Sequence, residues 1–142
     1  MLTARAMFIT DQKRLREIQV EFSRMYPYLK LEFYSKHHDE GKGSPKRALL
    51  ASDKTIGEIR TIHNDGELQI VEDMTVAKLE QRFEEVFGLN AQVFRRSGNL
   101  WIQTTATDGW TLAEQNRKGG ASEAYWKEKY EKDIENPVDV DL

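Results

Sequence analysis

The chain contains no cysteine. That excludes disulfide bonds, thiol catalysis and cysteine-ligated metal, and it suits a reducing, cytoplasmic setting. Sustained apolar runs are missing as well: Met7, Phe8 and Ile9 stand near the start with nothing apolar to extend them, so neither a signal peptide nor a transmembrane helix is expected. There is no excess of positive charge. With a net charge of -3 the molecule as a whole does not attract nucleic acid or an anionic membrane, and either partner would need a local basic patch. No internal repeat and no low-complexity tract is legible.

Motifs of catalysis are scarce too. Gly41-Lys42-Gly43-Ser44 lacks the spacing of a phosphate-binding loop, and Pro45 follows where a helix should begin. Thr104, Thr105, Thr107 and Asp108 supply hydroxyls and a carboxylate, but no histidine stands near them to act as a base. Glu84 and Glu85 are adjacent on the outer side of a helix, a poor arrangement for an acid/base pair. His37, His38, Asp39 and Glu40 are metal-ligand residue types, yet neighbouring side chains in a loop diverge, and a closed site would need His63 brought to them by the fold. No cofactor is expected.

What is present is a polar chain of 142 residues, 39% hydrophobic and 32% charged, with a mean hydropathy of -0.70. This length suits one domain, here residues 1–135, with an acidic flexible tail over 136–142. Leu15, Ile18, Phe22 and Met25 recur at helical spacing and predict a helix over 10–26, capped by Thr10 or Asp11 and stopped at Pro27. Tyr28 to Ser35 alternates as a strand. Lys36 to Lys46 has loop composition. Residues 54–62 fit either a short helix capped by Ser52 or Asp53, or a strand, and Glu67 to Val71 is a short strand.

The best-signalled helix is 76–87: Thr75 is its N-cap, Met74 and Leu79 form a staple, Gly88 is the C-cap, and Val76, Leu79 and Phe83 face the core. A hairpin follows. With Ser97-Gly98 as a two-residue turn, Arg96 faces Asn99, Phe94 faces Trp101 and Gln92 faces Gln103. Alternation puts Ala91, Val93, Leu100 and Ile102 on an aliphatic core face with the base of Arg95, and Gln92, Phe94, Arg96, Trp101 and Gln103 on the other. Beyond it, a short helix 112–116 breaks at Lys118-Gly119-Gly120, and a last helix runs from Glu123 to about Ile134.

The stretch Met74 to Asn116, MTVAKLEQRFEEVFGLNAQVFRRSGNLWIQTTATDGWTLAEQN, resembles small uncharacterised bacterial proteins of unknown activity, a resemblance that carries over no site residue. The predicted fold is α+β, a two-layer sandwich. A mixed sheet of about four strands (28–35, 66–71, 90–96, 99–105) carries helices 10–26 and 75–87 on one face, in a β-grasp or ferredoxin-like arrangement, with a C-terminal helix besides.

The predicted binding residues are Gln92, Phe94, Arg96, Trp101 and Gln103, serving a small non-catalytic module that binds a protein partner. One alternative is single-stranded nucleic-acid binding through Phe94, Trp101, Arg95, Arg96, Lys42, Lys46 and Arg47. Another is a metal-dependent enzyme using His37, His38 and His63. The competing structural account has the Trp110, Tyr125, Trp126 and Tyr130 segment fold back over Phe94 and Trp101 and make them a second small core.

Overall fold

The computed structural model describes residues 4–35 and 41–135, the side chains of 132–135 excepted. The first described element is a strand the sequence did not announce. In β1 (Ala4–Ile9) only Met7 and Ile9 turn inward, while Phe8 between them is exposed; two apolar positions in six residues are too few to stand out by periodicity. β1 pairs antiparallel with β3 (Gly66–Val71), Met7 opposite Leu68. The remaining strands, β2 (Leu29–Tyr34), β4 (Asn90–Ser97) and β5 (Leu100–Gln103), form an antiparallel sheet in the order β2-β4-β5.

The fold is therefore α+β, but the expected four-stranded mixed sheet divides into antiparallel sheets of two and three strands. The cause is β1, which takes the 66–71 strand as its own partner and removes it from the larger sheet. The single-sheet arrangements, β-grasp and ferredoxin-like, give way with it. Helices α1 (Leu15–Met25) and α3 (Val76–Phe87) contribute to a core that both sheets share, rather than covering one face of one sheet. Phe33 of β2 meets Phe83 of α3 edge-on at 5.6 Å, near the favoured aromatic geometry.

The chain folds as an internal duplication, contrary to the absence of a repeat in the sequence. Met7, Ile9, Leu15, Ile18 and Phe22 in the first half have their counterparts, at one constant spacing, in Leu68, Ile70, Val76, Leu79 and Phe83. Each half ends on a further helix: α2 (Ile56–Ile59) in the first, α4 (Leu112–Glu135) in the second. Equivalent strands pair with each other, β1 with β3 and β2 with β4. The apolar positions repeat while most of the side chains between them differ.

The helix starts make the duplication explicit. The Leu15 and Arg16 amides donate to the Lys54 and Ser52 carbonyls, and the Ile56 and Gly57 amides donate back to Lys13 and Asp11. In the second half Val76 and Ala77 donate to Trp110 and Asp108, and Leu112 and Ala113 to Met74 and Glu72. The first two amides of a helix have no partner inside it. Here two helix starts laid antiparallel satisfy each other. The next amide is met locally, by the hydroxyls of Thr55, Thr75 and Thr111 in α2, α3 and α4 and by the Arg14 carbonyl in α1.

This exchange corrects the expected caps of two helices. Arg14, not Thr10 or Asp11, is the N-cap of α1, its amide donating to the Glu17 carboxylate at 2.7 Å. Residues 54–62 hold the short helix α2 capped by Thr55, not by Ser52 or Asp53. Thr75 and Gly88 occupy the positions expected for α3, Gly88 with φ 67.

α4 is one continuous helix, where the sequence predicted a break at Gly119-Gly120. The two glycines are there for closeness: a Cβ at Gly119 would come within 2.9 Å of the Tyr28 Cβ, and one at Gly120 within 2.8 Å of the Tyr28 ring. The predicted tail, 136–142, lies outside the described residues.

Candidate interaction surface

The hairpin turn decides which side chains meet. Ser97 faces Leu100, so Gly98 and Asn99 form the loop in place of Ser97-Gly98. Gly98 carries φ 60 and Asn99 has no positive φ, the pattern of a two-residue loop with glycine at its first position. The slip moves β5 by two residues and therefore preserves both faces while changing the pairs. Trp101 stands opposite Arg96, and Phe94 opposite Gln103.

β2 supplies the third row. Lys30 is the cross-strand partner of Phe94, and its ammonium lies 5.2 Å from the Phe94 ring centre and 5.3 Å from that of Trp101. The Arg96 guanidinium covers the same indole at 5.1 Å. Two cations and two aromatic rings thus interleave, each contact within the reach of a cation–π interaction. Both cations also have carboxylates: Lys30 lies 3.5 Å from Glu32, and Arg96 donates to Glu123 of α4 at 3.0 Å. The hydrogen bond from Lys127 and the charges of Lys127 and Arg96 hold the Glu123 carboxyl below its usual range.

The five predicted binding residues divide into two groups. Phe94, Arg96 and Trp101 are half-buried and reachable. Gln92 is buried, its carbonyl accepting from the Ser44 hydroxyl at 3.3 Å. Gln103 is engaged twice by the Ser44 backbone, accepting from its amide at 3.1 Å and donating to its carbonyl at 3.0 Å. The segment after Gly41 folds over the glutamine end of the face and leaves the aromatic end to Lys30 and Arg96.

α4 reaches the hairpin through Glu123 at Arg96 and through Ser122 and Trp126 at the tip. Its Ser122 hydroxyl accepts from the Gly98 amide at 2.7 Å, and Trp126 packs on Gly98 and Tyr130. The helix clasps the hairpin tip. Trp110 sits instead under Arg95, 5.6 Å from its guanidinium. Arg95 donates to buried Gln115 at 2.8 Å, and burial pulls its pKa down.

Among the described residues β5 is an edge strand, with no further strand paired outside it. The Thr104 amide donates to the Val93 carbonyl, so by antiparallel alternation Leu100 and Ile102 turn their peptide groups toward β4, and Trp101 and Gln103 turn theirs outward. No described residue hydrogen-bonds those outward groups. Leu100 and Ile102, expected in the core, are 63% and 37% exposed, because the α1 and α3 core ends at the central strand. On the outer edge of β2, by contrast, the carbonyls of Leu29, Leu31 and Phe33 accept from Ser23, Gln19 and the Leu50 amide.

Of the other candidates, the glycine segment and His63 are bound into the structure. The Gly41 amide serves Asp108 and the Ser44 amide serves Gln103, so the glycine segment offers neither to a phosphate. Lys42, Lys46 and Arg47 are exposed. His63 Nδ1 lies 2.9 Å from Asp11, whose other oxygen accepts from buried Arg60. His37, His38, Asp39 and Glu40 lie outside the described residues, and among the described ones no three His, Asp or Glu side chains are grouped to hold a metal ion.

Lys30, Glu32 and Glu123 were missed because only the β2–β4 register and the path of α4 bring them to the hairpin. Comparison with protein-family models, curated proteins and solved structures finds no match to this chain.

Proposed function

We propose that the protein is a small non-catalytic interaction module, acting in the cytoplasm, that binds a protein partner through the hairpin face of Phe94, Arg96 and Trp101, with Gln92 and Gln103 shaping its base. The observation that carries this reading is the half-buried ladder of Lys30, Phe94, Trp101 and Arg96 on the sheet that ends at β5. Aromatic and arginine side chains ringed by polar groups are the composition of binding hot spots. Charge separates this reading from the nucleic-acid one: Lys30 and Arg96 already face Glu32 and Glu123, so a phosphate would compete with fixed carboxylates on a chain of net charge -3.

The test places a photo-crosslinking side chain at Phe94 to capture the partner in cells, then measures the purified pair by calorimetry. Trp101→Ala is expected to weaken binding by about tenfold or more while the far-UV spectrum and melting transition stay close to those of the parent. Unchanged binding would remove the face from the reading. Salt-dependent retention of single-stranded DNA, abolished by Trp101→Ala, would replace it with the nucleic-acid function.

A further inference from the structure

We propose that the face of the hairpin opposite Phe94 and Trp101, built on Arg95, is a second docking surface, and that its occupant is a segment of a protein partner in which an Asp or Glu carboxylate stands beside aliphatic side chains. This surface goes beyond the reading of the aromatic face and does not depend on it.

The described lysines and arginines that are not exposed are Lys13, Lys30, Arg60, Arg95 and Arg96. All but Arg95 face a carboxylate of the chain: Lys13 meets Glu21, Lys30 meets Glu32, Arg60 meets Asp11 and Asp65, and Arg96 meets Glu123. Arg95 meets none. Its Nη1 donates to Gln115, its Nε is buried with no acceptor among the described residues, and its Nη2 has no acceptor among them either. Taking a guanidinium out of water is costly unless a counter-charge or acceptors replace the lost water, and protein interiors seldom leave such a donor unmet. Burial pulls the Arg95 pKa down with no neighbouring charge to offset it.

The surroundings of Arg95 determine what accompanies the carboxylate. Ile102 is its cross-strand neighbour and Leu100 stands diagonal to it. Both are exposed, and so is Trp110, whose ring lies 5.6 Å from the guanidinium. Apolar side chains around one uncompensated cation fit a peptide that carries both charge and aliphatic groups, whereas a free anion would gain nothing from Leu100 and Ile102. The partner's carboxylate accepts from Nη2 in a charge-assisted bond. Its aliphatic neighbours cover Leu100 and Ile102, and by excluding water they strengthen that bond.

Selection from a library of random peptides on the immobilised full chain tests the proposal, with the Kd of each recovered peptide then measured by fluorescence anisotropy. Peptides with Asp or Glu beside aliphatic residues are expected, and changing that acid to its amide should raise the Kd by about tenfold or more. Arg95→Gln should do the same, and combined with the amide peptide it should add little, because both changes remove one contact. Leu100→Glu, at an exposed position that leaves Arg95 and Gln115 untouched, should also weaken binding, while Trp101→Ala on the opposite face should not. Peptides whose binding ignores Arg95→Gln and Leu100→Glu would overturn the inference, as would a selection that recovers none. So would Arg95-dependent retention of single-stranded DNA without peptide binding. Binding lost on Trp101→Ala alone removes the second surface and leaves the proposed function standing.

Discussion

Gly119 of α4 approaches Tyr28 so closely that a Cβ on the glycine would stand 2.9 Å from the Tyr28 Cβ and 3.1 Å from its carbonyl oxygen. This contact sets the path of α4 across the end of the sheet, where Asn116 accepts from the Tyr28 amide at 2.9 Å. A residue that weakens helices in isolation is retained here because a side chain would push the helix off the strand.

Gly119→Ala should therefore destabilise the domain by about 1–3 kcal/mol, overpacking outweighing the gain of about 1 kcal/mol in helix propensity. Gly120→Ala should cost less, because it meets the edge of the Tyr28 ring rather than backbone, and a ring can swing aside. Denaturant melts of the two variants check the order.

Arg60 is the buried ionic centre. Its guanidinium reaches Asp11, Asp65 and the carbonyls of Asn64 and Phe87. Arg60→Met should cost about 2–3 kcal/mol, below the ~3–5 kcal/mol of a fully buried pair because both carboxylates retain water. Equilibrium unfolding measures it.

Asp11 should add an acid-labile component to stability. Burial raises its pKa, but the hydrogen bonds from Arg60 and His63 and their charges outweigh this and leave it lowered from 3.8. A carboxyl lowered on folding contributes stability above its unfolded pKa, and that contribution is lost as pH falls from about 3.8 through the lower folded value. Asp11→Asn should be less stable than the parent at neutral pH and show a flatter dependence below pH ~4. Melting temperatures across that window report both.

The threonine caps offer a test of the paired helix starts. Thr75→Ala should cost about 1 kcal/mol for the lost bond to the Lys78 amide. Thr75 and Thr111 also face each other in a β-bridge, so Thr75→Ala and Thr111→Ala together should depart from additivity. Thr55→Ala with Thr75→Ala, in separate halves, should simply add. A double-mutant cycle for each pair distinguishes the two cases.

Gly98 is required by both conformation and space. Its φ of 60 suits glycine, and a Cβ there would meet the Trp126 ring at 3.1 Å. Gly98→Ala should cost about 1–3 kcal/mol and, by displacing Trp126, shift the tryptophan fluorescence. An unshifted spectrum would mean that α4 does not clasp the hairpin tip.

The sequence by itself determined the local features. Leu15, Ile18 and Phe22, and Val76, Leu79 and Phe83, mark their helix faces because helical spacing is a property of neighbouring residues. Thr75 and Gly88 mark the ends of α3 for the same reason. The grouping of side chains on the two hairpin faces survives the wrong turn, because a slip of two residues leaves every side chain on its face, but of the expected core face only Ala91 and Val93 are buried, while Leu100 and Ile102 are exposed.

Tertiary structure decided everything that depends on a distant partner. Whether residues 66–71 join β1 or the larger sheet, whether Gly119-Gly120 breaks a helix or seats it on Tyr28, and whether Leu100 and Ile102 are covered are set by contacts between segments far apart in the chain. The duplication is the same lesson at larger scale. It survives as paired strands and reciprocal helix-start hydrogen bonds, which use backbone groups common to all residues and so leave almost no mark on side-chain identity.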